Sequence, residues 1–370
     1  MTSHHQHSKL PIYVNDSYSA PNIEFETIKK ALKIAEWVSR THDLRNRFEL
    51  CDPAARAEAL DEAVIEIERF VDPTYLAAIR TGEPVGLATS NDLGWDAALY
   101  DMVVNSTAGI LSALRDVQQG NFASASLSSG LHHASPNRGA GFCTVNSLAI
   151  AALVAASRGL RVVILDLDAH CGGGTHAYLR QFPELAGRVT HVDVSVISFD
   201  RYNSRETGSW LELADEDDYL RAVERAIAEV AAAKPDVVFY NAGVDIWPTV
   251  SPEVVHQRDK IVAEALRGQG TRCVIVMAGG YGDDESIIPL HLGTLTAFAD
   301  VQSSSYESGC RCLNCGNKLV PIVYGYPGSD LWRRSQRGEV VLGGCLIFAG
   351  QPTHQCGSCG TPSRRLKRFR

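Results

Sequence analysis

The sequence predicts an α/β fold, a mostly parallel β-sheet with helices on both faces, followed by a small β-rich module rich in cysteine. Short β-branched runs recur through the middle of the chain: "RVVILDLD" (161–168), "THVDVSVISF" (190–199), "DVVFYNAG" (236–243) and "RCVIVMAGG" (272–280). Between them lie Ala-, Leu- and Glu-rich stretches at 144–158, 216–233 and 251–268, an alternation that suits a parallel sheet covered on both faces. Six of the ten cysteines fall in the last 61 residues, four of them as two CxxC pairs.

In chain order, the opening third reads as mainly helical, with apolar residues at helical spacing in 26–40, an acidic amphipathic stretch at 52–70 and a long candidate at 97–118. The four β runs follow. Each ends in polar, acidic or glycine residues, and in such sheets ligands collect beyond the carboxyl ends of the strands. "ADVQSSSYESG" (299–309) is a Ser-rich linker that divides the chain into residues 1–305 and 306–370.

With 45% hydrophobic and 21% charged residues, 370 residues suffice for a large core. The formal charge of -8 argues against a nucleic-acid or anionic-lipid surface and favours a small-molecule or peptide partner. No run approaches the roughly 18 apolar residues that cross a bilayer, and "MTSHHQHSKLPIYV" lacks the apolar core of a secretory signal, so the expected setting is the cytoplasm, with no membrane partner. There, paired cysteines suggest metal rather than disulfides.

The chemistry gathers at strand ends. In "ILDLDAHCGGGTH" (164–176), alternation along an extended strand points Asp166, Asp168 and His170 the same way. A phosphate loop is disfavoured because GxxxxGK[ST] is absent; taken alone, the motif could equally cap a helix. "SSGLHHASPNRGAGFCTVN" (128–146) offers His132 and His133 on a loop rich in turn residues, "NAGVD" supplies Asp245, and "MAGGYGDD" supplies Tyr281. Four sequence-distant motifs converging on one sheet edge are poorly explained as caps. Asp168, His170 and Asp245 would give a metal two oxygens and one nitrogen and leave a position open, as catalytic zinc requires. With a histidine to relay protons and a tyrosine to stabilise an oxyanion, the set suggests metal-assisted amide hydrolysis.

Over roughly residues 10–300, "GLHHA…GFCTVN", "DLDAH", "NAGVD" and "GGY", in that order, resemble the zinc-dependent histone deacetylases and their bacterial relatives, the acetylpolyamine amidohydrolases, which share the arginase-deacetylase fold. The resemblance implies zinc ligands Asp168, His170 and Asp245, Tyr281 as transition-state donor, His133 as base and acid, and His132 as its partner, oriented by Asp166. It also implies a narrow tunnel at Gly141 and Phe142, a substrate clamp at Asp92, and a structural potassium ion at Asp166 and Ser195. Where many members read DxDxHHGDG, this chain reads "DLDAHCGGG". Cys171 replaces a histidine and reads as a packed small residue, while Gly173 replaces the acid that pairs with His133. Unless another acceptor fills the gap, the expected consequence is a His133 of lower pKa and looser orientation.

At the C-terminus, "CLNCG" and "CGSCG" place Cys312, Cys315, Cys356 and Cys359 as a zinc ribbon whose four thiolates close a structural site. His354 and Cys345 are substitute ligands, Cys310 is spare, and a redox role for the pairs is disfavoured. "EVVLGGCLIFAG" (339–350) reads as strand-rich. The basic "RRLKRFR" at 364–370 reads as a solvated tail or a contact for an anionic partner, and His4, His5 and His7 are assigned no role.

The expected function is zinc-dependent hydrolysis of an N-acyl amide on a small molecule or acyl-lysine-like group, with one catalytic and one structural zinc and the ribbon available as a contact between copies. Two alternatives stand beside it. One is a binding module that keeps metal and acyl ligand without turnover because Gly173 has removed the partner of His133. The other is a ureohydrolase on the same scaffold with two manganese ions, against which Gly172 stands where an aspartate is needed.

Overall fold

The computed structural model describes residues 9–304 apart from 21, 24–28 and 130, together with 312, 314, 315, 317, 319–324, 329–344, 352 and 354–363. The chain forms two compact units, Met1–Gln302 and Ser303–Arg370.

The large unit is built on eight strands: β1 Leu10–Tyr13, β2 Phe48–Cys51, β3 Ala123–Ser126, β4 Val162–Asp166, β5 Val189–Ser195, β6 Trp210–Leu213, β7 Val237–Gly243 and β8 Arg272–Ala278. They lie in the order β2-β1-β3-β8-β7-β4-β5-β6, every neighbouring pair parallel. Successive residues of a strand serve opposite faces. Val162 and Ile164 of β4 pack with helices Ala57–Phe70, Leu99–Gln118 and Ser147–Ser157. Val163 and Leu165 pack with Lys30–Arg40, Tyr219–Ala233, Pro252–Gln269 and Asp284–Ser304. Because both faces are covered, the central strands are apolar without interruption.

The opening third is mainly helical, as its sequence suggests, but it also holds β1 and β2, with β3 directly after it. Each is four residues long, too short to display alternation, and β3 reads "ASAS", buried by its neighbours rather than by its own hydrophobicity. The Ser-rich linker expected at 299–309 begins as helix, since Asp284–Ser304 runs into it. Gln302 explains the extension: buried, it accepts from Ala123 N and donates to Lys9 O, tying the helix end to the sheet.

The small unit contains β9 Leu319–Val323, a helix Ser329–Gln336, β10 Val341–Leu342, β11 His354–Cys356 and β12 Pro362–Ser363. The strand order is β10-β9-β11-β12, with β11 antiparallel to β9 and β12. Of the strand-rich stretch 339–350, residues 341–342 are strand and 345–350 lie outside the described residues, as do His4, His5, His7, Cys310, Cys345 and the basic tail 364–370. Among the described residues no helix is long and apolar enough to cross a membrane.

Candidate active site

The carboxyl ends of β3, β4, β5, β7 and β8 meet at one edge of the sheet, and their loops deliver the polar side chains. The chain leaving β4 carries Asp168 and His170, and the chain leaving β7 carries Asp245. Ligand atoms of these three lie within 4.8 Å of one another. His170 Nδ1 stands 3.2 Å from Asp168 Oδ1 and 3.1 Å from Asp245 Oδ2, and the two carboxylates hold its pKa up at about 9. Gly243, the last residue of β7, permits this approach: a Cβ there would lie 2.4 Å from Asp168 Cα. Behind the cluster, the fully buried Arg258 pairs with Asp259 and donates to the carbonyls of Leu167 and Gly243, fixing both strand ends.

Asp245 Oδ2 is buried without an aligned hydrogen-bond donor, beside a second carboxylate and an imidazole. Two buried carboxylates sharing one imidazole are costly. A cation bound by all three residues would satisfy them, and the O₂N donor set suits zinc with one position open.

His132 and His133 lie with ring centroids 4.0 Å apart. His132 Nδ1 is 2.9 Å from Asp166 Oδ2, and Asp166 Oδ1 also accepts from Asn241 Nδ2 at 2.8 Å. Burial lowers the His132 pKa, but Asp166 and Asp168 outweigh it and hold the ring at about 10. His133 is lowered by burial and by the charge of His132.

The gap that Gly173 leaves beside His133 is filled by another acceptor. His133 Nδ1 lies 2.9 Å from Asp200 Oδ2, a carboxylate arriving from the loop after β5. A Cβ on Gly173 would sit 2.2 Å from Asp200 Oδ1. The side chain missing at 173 is therefore space that Asp200 fills.

Tyr281 follows β8 through Gly279 and Gly280, and burial together with the charges of Asp245 and Asp168 pushes its pKa upward. It borders a cavity of about 60 Å³ with His132, His133, Gly141, Phe142 and Asp168. The Phe142 and Tyr281 rings are 6.1 Å apart, and Phe199 stands edge-on to His133 at 5.0 Å. Asp92 sits beside this wall, its Oδ2 accepting from Gly141 N at 3.0 Å. Among the described residues, Asp92, Phe142 and Asp200 are three of the four non-glycine residues with positive φ. Such backbone strain collects where surrounding structure enforces it.

Sequence reasoning missed Asp200, Phe199, Lys30 and Asp193. Lys30 is buried on the cavity's inner wall and donates to the Gly279 carbonyl, and burial lowers its pKa to about 8. Asp193 lies across from Asp166 in the β4–β5 register and accepts from Ser195 Oγ at 2.6 Å. The signal for Asp200 and Phe199 was their place just beyond β5, where the other strands had already yielded site residues. Cys171 is buried, and burial pushes its thiol up to about 12.

In the small unit, Cys312, Cys315, Cys356 and Cys359 converge. Sγ–Sγ separations are 3.5 Å for Cys312–Cys359 and 3.4 Å for Cys315–Cys356 and Cys315–Cys359. Disulfide sulfurs would stand about 2 Å apart, whereas a tetrahedral Zn–S distance of about 2.3 Å spaces sulfurs by about 3.8 Å. The set fits a metal.

The family model of the histone deacetylase domain matches residues 25–289. An uncharacterized protein of a Picosynechococcus strain is 30% identical over 227 residues, 58% of this chain and 75% of that protein. Histone deacetylase 2 of Arabidopsis thaliana is 29% identical over 252 residues, 61% of this chain; the match spans 63% of the plant protein, under two thirds of its length. The acetylpolyamine aminohydrolase structure from Burkholderia pseudomallei superposes with a TM-score of 0.61 at 19% identity, over 79% of this chain and 99% of that one, a likeness of fold. The matched span holds the Asp168–His170–Asp245 cluster and both histidines, and the chain belongs to the histone deacetylase domain family.

Proposed function

We propose that the chain hydrolyses the linear C–N bond of an N-acyl amide, carried by a small acylated amine or acyl-lysine-like group, with one zinc ion held by Asp168, His170 and Asp245. The observation that carries this reading is the pair of buried carboxylates, Asp168 and Asp245, closing on His170 in a three-residue ligand set, whose Asp168 opens onto the same cavity as His133 and Tyr281. Bound zinc would polarise the acyl carbonyl and lower the pKa of water.

The chain's own groups supply the rest. With Nδ1 turned to Asp200, His133 has Nε2 to take a proton from water and return it to the departing amine. A depressed pKa suits it to begin as the base. His132, held by Asp166, sets a positive charge beside that ring. Tyr281 keeps its phenolic proton and donates it as a hydrogen bond to the oxygen on which negative charge develops. Gly141 and Phe142 narrow the way in, with Asp92 bracing Gly141.

A second zinc in the Cys₄ set would hold residues 306–370 as a zinc ribbon, distinct from a catalytic domain at 1–305. A potassium ion at Asp166 and Ser195 completes the proposed ions; the additional buried carboxylate of Asp193 favours a cation there. The binding-only alternative rested on a partnerless His133, and Asp200 removes that ground. Against two manganese ions, the other described cluster able to hold a metal is the Cys₄ set.

The test is acyl release by the zinc-loaded protein from a panel of acetyl-lysine, acetylpolyamine and other N-acyl compounds. Tyr281→Phe is expected to lower kcat by about 10²–10³. No release from any compound, with wild type and Tyr281→Phe alike, would refute the proposal.

A further inference from the structure

We propose that Asp200 is the positioning residue of His133, and that positions 173 and 200 form one carboxylate site with two mutually exclusive backbone origins. The inference rests on the reading of His133 as base.

Four observations support it. Asp200 Oδ2 lies 2.9 Å from His133 Nδ1, hydrogen-bonding distance for an N–H aimed at a carboxylate, and such a bond fixes the ring's tautomer and orientation. The same oxygen accepts from Gly174 N at 3.2 Å, in the first turn of helix Gly173–Gln181, where the helix dipole favours an anion. The loop that delivers it is fastened to the metal-ligand segment: Ile197 N donates to Ala169 O at 2.8 Å and Cys171 N to Phe199 O at 3.1 Å. Finally, a Cβ on Gly173 would meet Asp200 Oδ1 at 2.2 Å, its Cγ at 2.5 Å and its carbonyl oxygen at 2.4 Å. Any side chain at 173 thus starts inside the volume that the Asp200 carboxylate and carbonyl fill, so an aspartate at 173 would serve the same ring only if the backbone at 200 gave way along with the side chain. Asp200 has φ +59, a conformation glycine adopts without penalty, so removing its side chain relieves rather than adds backbone strain.

The experiment compares Asp200→Gly, Asp200→Asn and Gly173→Asp in the full zinc-loaded chain. Asp200→Gly and the shape-preserving Asp200→Asn are expected to lower kcat about 10²-fold or more with little change in KM. Gly173→Asp alone is expected to be no better than Asp200→Gly because two carboxylates then contest one space. The proposal is overturned if Asp200→Gly or Asp200→Asn keeps kcat within about twofold of wild type, or if Gly173→Asp does so. Ring ¹⁵N NMR of histidine-labelled protein gives a readout independent of turnover. Wild-type His133 should be protonated at Nδ1 and hydrogen-bonded, and Asp200→Gly should abolish that signature; an unchanged ring spectrum refutes the proposal. If the wild type hydrolyses nothing, the amidase reading fails while the spectrum still decides the role of Asp200.

Discussion

The two units use their cysteines, carboxylates and apolar residues in opposite proportion. The large unit buries two extensive apolar clusters, one on each face of the sheet, and its prospective metal ligands are three side chains added at the rim. In the small unit, the buried apolar cluster among the described residues is Cys312, Leu319 and Cys356, so two of its three members are themselves prospective ligands. Charge divides the same way: residues 1–302 carry 25 Lys and Arg against 40 Asp and Glu, and residues 303–370 carry ten against three. In the first unit the fold positions the candidate ligands; in the second the candidate ligands make up most of the buried apolar cluster among the described residues.

That contrast is most exposed to metal removal. A chelator should unfold the small unit, because a structural zinc contributes on the order of 10 kcal/mol to such modules, while the large unit keeps its protected amides. Hydrogen exchange followed by mass spectrometry reads both units at once, and equal loss of protection in both would break the comparison. The Cys315→Ser/Cys359→Ser variant should reproduce the effect without a chelator.

A buried pair tests the other side. Arg258→Met leaves Asp259 charged and enclosed, which typically costs about 3–5 kcal/mol, and it frees the Leu167 and Gly243 carbonyls. Denaturant unfolding should show the large unit destabilised by that amount with small-unit protection unchanged. Arg258→Met/Asp259→Leu should recover a good part of it. A loss confined to the small unit would contradict the assignment of roles.

The smallest effect is a pH dependence of the metal-free large unit. Burial lowers His176 from 6.5 to about 4, and the charge of His191 adds to this. The folded state therefore binds fewer protons than the unfolded chain, so this histidine's contribution is whole above about pH 6.5 and is lost as pH falls towards 4. His176→Gln should flatten the fall in stability between those values. An unchanged slope would show that another group sets it.

Much of this was legible in sequence where periodicity and chemistry coincide. Four of the eight large-unit strands announce themselves by β-branched runs, and Asp168, His170, Asp245, His132, His133 and Tyr281 follow from motifs at strand or loop ends. β1, β2 and β3 were hidden because four residues are too few to show a period, and β3 is buried without being strongly apolar. Asp200 was hidden for a different reason: its partner lies 67 positions away, and only the folded chain brings its carboxylate into the gap at Gly173. The helix Ser329–Gln336 lies in a segment whose Tyr, Pro and Gly residues give no helical period.

The gap at Gly173 also constrains how such a site can change over time. An acid at 173 and an acid at 200 obstruct each other at 2.2 Å. A lineage passing from one arrangement to the other by single substitutions therefore crosses either a crowded intermediate or one with no partner for His133. A signature demanding an acid at 173 would pass over this chain, in which a carboxylate reaches His133 from position 200.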